Sequence, residues 1–181
     1  MIGRRTALTM LAAGAVAPAA IGHTLYPQWV AYRRKHLLIG CHRRDARTYT
    51  LAKALVAELD HALPKAKARP ARAPHPERLA SLIGTDQMEL AVLSIAEAQA
   101  MAEGRDRFAP YGKIALTKLA EMGNHLLVAE AGFPARHGWM VTSALRDTPL
   151  RVEANKEVTL PLHSGAQAFL NGIPLEILAT D

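Results

Sequence analysis

Along the middle of the chain, apolar and polar positions fall in blocks. Leu37-Leu38-Ile39 is a short apolar run ending on Gly40-Cys41. A polar loop, His42 to Arg47, follows. Thr48-Tyr49-Thr50 then leads into apolar positions at Leu51, Ala52, Leu55, Val56 and Leu59. A short apolar run ending on glycine predicts a buried strand, and spacings of three and four residues predict an amphipathic helix. That helix is opened by a threonine and runs to about Leu63. Strand, loop and helix in this order put a helix N-terminus at the carboxyl end of a strand. Its free N–H groups and positive dipole end make that the place where α/β proteins seat ligands.

The block from Pro64 to Pro76 is rich in Lys, Arg, Ala and Pro and has no helical periodicity; residues 66–73 fit a basic edge strand, where Pro70 is tolerated. His75 to Ile83 predicts a short helix, with Pro76 near its first position and Gly84 past its end. Glu89 to Ser94 is a second buried strand, and Ile95 to Glu103 a helix stopped at Gly104. The order β-α-β-α-β-α favours a mainly parallel sheet with right-handed crossovers, flanked by helices. Beyond it the signals weaken. Ile114 to Met122 fits a strand or a helical turn, and His125 to Ala129 is a strand. Ala135 to Leu145 is a helix, and Asp147 to Leu160 is extended in part. A last short helix opens at Pro161–Ala166, runs to Leu170 and ends at Asn171-Gly172.

Composition narrows the class. Of 181 residues 50% are hydrophobic and 21% charged, which is globular rather than disordered. The net charge of +6 comes from scattered basic residues with few aromatics, so nucleic acid is not the expected partner. A single cysteine, Cys41, excludes an intramolecular disulfide. Arg4-Arg5 ahead of the apolar stretch Ala7 to Ala20 has the form of an export signal, and the arginine pair fits a twin-arginine signal as well as an ordinary one. The alternative is a retained anchor. Apolar character continues through Ile21, Leu25, Trp29 and Tyr32 to Arg33-Arg34-Lys35, a composition suited to a membrane interface. The chain therefore divides into a signal or anchor (1–35) and one α/β domain (36–181), placed in the periplasm and, if the anchor is kept, on the inner membrane, with membrane contact through residues 7–32.

Catalytic constellations are scarce. There is no phosphate-binding Walker loop, no Gly-x-Gly-x-x-Gly and no Gly-x-Ser-x-Gly elbow. The eight histidines are dispersed. Cys41 and His42 would point to opposite faces of a strand, so they chelate poorly and Cys41 is better read as a buried strand residue. His163-Ser164 is better read as a helix cap than as nucleophile and base. No enzyme activity, cofactor or metal is expected.

Four segments together resemble a known family. Ile39-Gly40 with Arg47 through Leu55 resembles the first strand, ligand loop and helix of the TAXI-type receptors, the solute-binding components of tripartite ATP-independent periplasmic (TRAP) transporters. Glu89 to Ser94, then His125 to Ala129 with Phe133-Pro134 and Val141 to Leu145, and finally Pro161 to Ala166, resemble later segments of that family in the same order. The resemblance implies one lobe of a type II periplasmic binding protein. The family's second lobe has no counterpart, since only Arg105 to Asn124 joins the matching segments. The family's glycine-rich loop is here arginine-rich. Arg43, Arg44 and Arg47, with Thr48 and the helix N-terminus, could hold a carboxylate or phosphate; the resemblance adds Tyr49 and Ser94 to that site. Two functions follow. One is binding a small anionic solute, a carboxylate or amino acid, for a TRAP membrane permease. The other is a non-transport accessory or scaffold subunit of a periplasmic or membrane-bound protein complex.

Overall fold

The computed structural model describes residues 32, 35–153 and 157–178. Apart from Tyr32 and Lys35, the expected signal or anchor lies outside the described residues. Among those described, no helix is long and apolar enough to cross a membrane.

Five strands form one sheet in the order β2-β1-β3-β5-β4. They are β1 (Leu38–His42), β2 (Arg69–Ala73), β3 (Leu90–Ser94), β4 (Leu116–Met122) and β5 (His125–Glu130). The helices are α1 (Ala46–Ala62), α2 (Pro76–Ile83), α3 (Ile95–Glu103), α4 (Ala135–Ala144) and α5 (Ser164–Leu170). A fold of the α/β class, a sheet flanked by helices, is therefore present. The expectation of a mainly parallel sheet needs correction, because the sheet is mixed. β1 pairs in parallel with β2 and β3, whereas β5 runs antiparallel to both β3 and β4. The cause is local. β4 and β5 are joined by a tight turn at Gly123-Asn124, with Gly123 at φ +68, and a hairpin can only be antiparallel. β5 then inserts beside β3 rather than continuing the crossover series. The stretch 105–124 is thus part of the same sheet: a 3-10 segment at Asp106–Tyr111, then β4 and the hairpin turn.

Alternation along the central strands builds two cores. On one face Ile39, Cys41, Leu90, Val92 and Leu127 pack against Leu51, Leu55 and Leu59 of α1 and Val141 of α4. On the other, Ala91, Leu93, Leu126 and Val128 pack against Leu79 and Ile83 of α2, Met101 of α3 and Phe108. Central strands buried on both faces read as continuous apolar runs, as β3 and β5 do. The basic segment is an edge strand, β2, with Pro70 inside it.

Helix limits follow chemistry legible in the chain. Pro76 stands at the start of α2, with His75 as N-cap. α3 begins with a capping box and ends on Gly104 in the left-handed region, φ +64. Cys41 is fully buried, as expected, with its thiol against the Ala71 carbonyl at 3.5 Å.

Candidate functional site at the carboxyl edge of the sheet

The chain leaves β1 for β2 on one side and returns to β3 on the other. The carboxyl ends of β1 and β3, at His42 and Ser94, therefore flank the topological switch point, where an open α/β sheet forms its crevice. The helices that follow, α1 and α3, begin there.

The loop between β1 and α1 is shorter than expected. His42 belongs to the strand, and Ala46 and Arg47 to the helix, leaving Arg43, Arg44 and Asp45 between them. The N-cap is Asp45, not a threonine. Its Oδ1 accepts from the Arg47 N–H at 2.8 Å, and its Oδ2 accepts from His125 Nε2 at 2.7 Å. Burial alone would raise the Asp45 pKa. The hydrogen bonds from His125 and Arg47, and the charges of His125 and His42, outweigh it and hold the carboxyl below its ordinary range.

Ser94 caps α3, and Glu97 completes the box: Ser94 N–H donates to Glu97 Oε2 at 3.3 Å, and Glu97 N–H to Ser94 Oγ at 3.3 Å. Glu97 Oε2 also receives Ser94 Oγ at 2.9 Å and His42 Nε2 at 3.3 Å. Burial pushes the Glu97 pKa up, but the His42 and Ser94 contacts pull it below the usual carboxylate range. The His42 ring is fully buried, and its Nδ1 has no hydrogen-bond partner among the described residues.

The switch point therefore holds two imidazole–carboxylate pairs, His42–Glu97 and His125–Asp45. β-Sheet register brings them together, because Ser94 on β3 faces His125 on β5. Each helix N-terminus already carries a carboxylate of its own. The orphan N–H groups and dipole ends that would recruit an anion are answered internally.

The six residues nominated by the sequence separate. Thr48 is buried and closes the loop: its hydroxyl donates to Asp45 O at 2.7 Å, and His42 N–H donates to its Oγ1 at 3.2 Å. Ser94 is the α3 cap. Tyr49 is half-buried and turned toward β2, with the Arg72 guanidinium 4.6 Å from its ring centroid. β2 and β3 lie on opposite sides of β1, so Tyr49 does not share a seat with Ser94. Arg43, Arg44 and Arg47 are exposed. Arg44 reaches Glu77 Oε1 at 3.5 Å, an acid in the first turn of α2 that His75 and Arg107 also approach. Arg43 and Arg47 have no acidic partner among the described residues and form a cationic lip outside the ion-paired centre.

Sequence reasoning missed Asp45, Glu97 and His125 and placed His42 in the loop. Ser94-x-x-Glu97 ahead of an apolar helix is a legible capping box. His125 had no signal, since its place depends on strand register. Ser94 Oγ donates to a carboxylate and not to an imidazole, so Ser94 is not paired with a histidine as a nucleophile. Among the described residues, no group of three or more His, Cys, Asp or Glu is arranged to hold a metal ion. No protein-family model matches the chain, and no curated protein matches it.

Proposed function

We propose that the chain is an exported, receptor-like α/β lobe that serves as an accessory or scaffold subunit of a periplasmic or membrane-bound protein complex. Its arginine lip docks an acidic surface of a partner. One observation carries this reading: the carboxylates of Asp45 and Glu97, each bonded to an imidazole, occupy the two helix N-termini at the switch point, while Arg43 and Arg47 stay outside with no acidic partner among the described residues. An inner seat filled by the chain's own carboxylates repels a small anion. An outer cationic rim steers a large acidic surface. The strand-loop-helix at the switch point, in the order of the TAXI-type segments, supports descent from one lobe of a type II periplasmic binding protein.

The second reading is a receptor for a small anionic solute delivered to a TRAP permease. The two uncommitted guanidiniums at the switch point favour it, because arginine binds a carboxylate in a bidentate fork. Calorimetry with small carboxylates and amino acids separates the two. The scaffold reading expects no heat from any of them. It also expects a partner that co-purifies at fixed stoichiometry and is lost in the Arg43→Glu/Arg47→Glu variant. Micromolar binding of a small carboxylate, abolished by the same variant, would replace it with the receptor reading.

A further inference from the structure

At the opposite pole, where β1 and β3 begin, the molecule opens into a cavity of about 720 Å³. Leu37, Leu63, Phe133, Pro134, Met140 and Val141 wall it, coming from the entry to β1, the end of α1, the approach to α4 and the body of α4. That volume lies within the range of sites holding small organic ligands, roughly 300–1,000 Å³, and such sites are mostly apolar with a few polar groups at the mouth. Here the mouth carries Lys35 and Lys65. Both are exposed, as is Lys67 close by, and none of the three has an ion-pair partner among the described residues. Backbone bonds fix the two lysine-bearing segments side by side: Leu37 N–H donates to Ala66 O, and Arg69 N–H to Leu37 O, both at 2.9 Å.

One acid, Glu89, also stands at the mouth. It is exposed as a residue, yet burial of its carboxyl raises its pKa, opposed by the charge of His137 and aided by that of Glu130. At the same mouth stand the two lysines, whose charges outnumber that of this one carboxyl. Just upstream in sequence lie Trp29, Tyr32, Arg33 and Arg34, residue types that gather at membrane interfaces. An apolar cavity with a cationic mouth matches an anionic amphiphile, and beside residue types that gather at membrane interfaces the hydrocarbon chain and phosphate of a membrane lipid fit it.

We propose that this pole binds an anionic phospholipid, with one acyl chain in the cavity between α1 and α4 and the headgroup phosphate held by Lys35 and Lys65. The site is independent of the carboxyl edge and of any partner docked there. It would orient the lobe with its amino pole on the membrane and its arginine lip facing away.

The test is calorimetric titration of the full chain with monomeric dihexanoyl phosphatidylglycerol at fixed salt. Saturable binding of one lipid per chain is expected. Lengthening both chains to heptanoyl should tighten it about fourfold, the effect of one further buried methylene. Lys35→Glu/Lys65→Glu should weaken binding about tenfold or more. Ala62→Trp, which fills the mouth from an exposed wall position, should abolish it. Equal affinity for the phosphatidylcholine analogue, no chain-length dependence, or glycerol 3-phosphate competing as well as the lipid would each overturn the proposal. So would wild-type binding by the lysine variant, whose surface changes leave the fold intact and keep the test decisive should Ala62→Trp fail to fold.

Discussion

His125 Nε2 donates to Asp45 Oδ2 at 2.7 Å, so the first residue of β5 holds the carboxylate that caps α1. One side chain thereby serves a local role and a tertiary one. Asp45→Ala should cost about 1–2 kcal/mol from loss of the cap alone, whereas Asp45→Asn keeps a capping oxygen and should cost less. A double-mutant cycle with His125→Ala, read by urea denaturation, should show coupling of about 0.5 kcal/mol or more, and additivity would mean that the contact does nothing.

Both paired carboxylates, Asp45 and Glu97, have pKa values below their ordinary 3.8 and 4.5. In that region the unfolded chain binds more protons than the folded one, so stability rises with pH there. The contribution is complete above about pH 4.5 and is lost as pH falls through the lowered folded values. Glu89 has the opposite sign: its raised pKa makes its contribution shrink as pH climbs above 4.5. Thermal unfolding between pH 3 and 6 should therefore show a steeper acid loss in Glu89→Gln than in Asp45→Asn/Glu97→Gln.

How far the sequence carried is visible in single elements. Ile95–Glu103 was legible to the residue and Pro76–Ile83 to within one, His75 proving to be its N-cap, because Pro76, Gly84 and Gly104 mark their ends. β4 was ambiguous for a physical reason. The register slips between Lys118 and Ala120, so Leu119 and Ala120 are both buried and the period of two is lost. The position of β5 between β3 and β4 was also out of reach, because pairing is decided by non-local contacts. The strand-loop-helix core of the site was legible, and its occupants were not. Thr48 looked like a ligand residue because a threonine at a helix start has a free hydroxyl in sequence, whereas in the fold that hydroxyl is used by His42 and Asp45.

The nominated residues should therefore split under mutation. Thr48→Val leaves the buried His42 N–H without its acceptor and should cost about 1–3 kcal/mol. Arg43→Ala and Arg47→Ala, on the exposed lip, should stay within about 0.5 kcal/mol of wild type. Denaturant midpoints of the three variants check this, and a large loss in either arginine variant would show that the lip is structural.

Cys41 should be chemically silent in the folded protein. It is fully buried, and burial pushes its thiol up to about 11, with only a small opposing pull from Arg72. A disulfide reagent at pH 8 should label it only at the rate of unfolding. Labelling should accelerate with urea in step with the loss of helical signal, and rapid labelling of the native protein would show an open β1–α1 interface.

The corner between α4 and α5 supplies the sharpest steric prediction. His163 caps α5 by accepting the Gly165 N–H on Nδ1 at 3.1 Å, while its Nε2 donates to Phe133 O at 2.9 Å. Directly beside it, a Cβ on Gly165 would sit 1.9 Å from Ala135 O and 2.6 Å from Trp139 N, both backbone atoms that cannot swing aside. Gly165→Ala should cost about 3 kcal/mol or more by forcing the two helices apart. Gly172→Ala meets no neighbour and should lose only about 1 kcal/mol, from its φ of +72. The cap adds a pH signature. Nδ1 must carry a lone pair to accept, and burial lowers the His163 pKa below its ordinary 6.5, against a smaller upward pull from its bond to Phe133. The unfolded chain then takes up the proton first, so stability falls as pH drops from above 6.5 toward the folded value. His163→Asn, which keeps a capping oxygen without a titrating ring, should flatten the stability curve between pH 5 and 7, and an unchanged slope would place that dependence on another group.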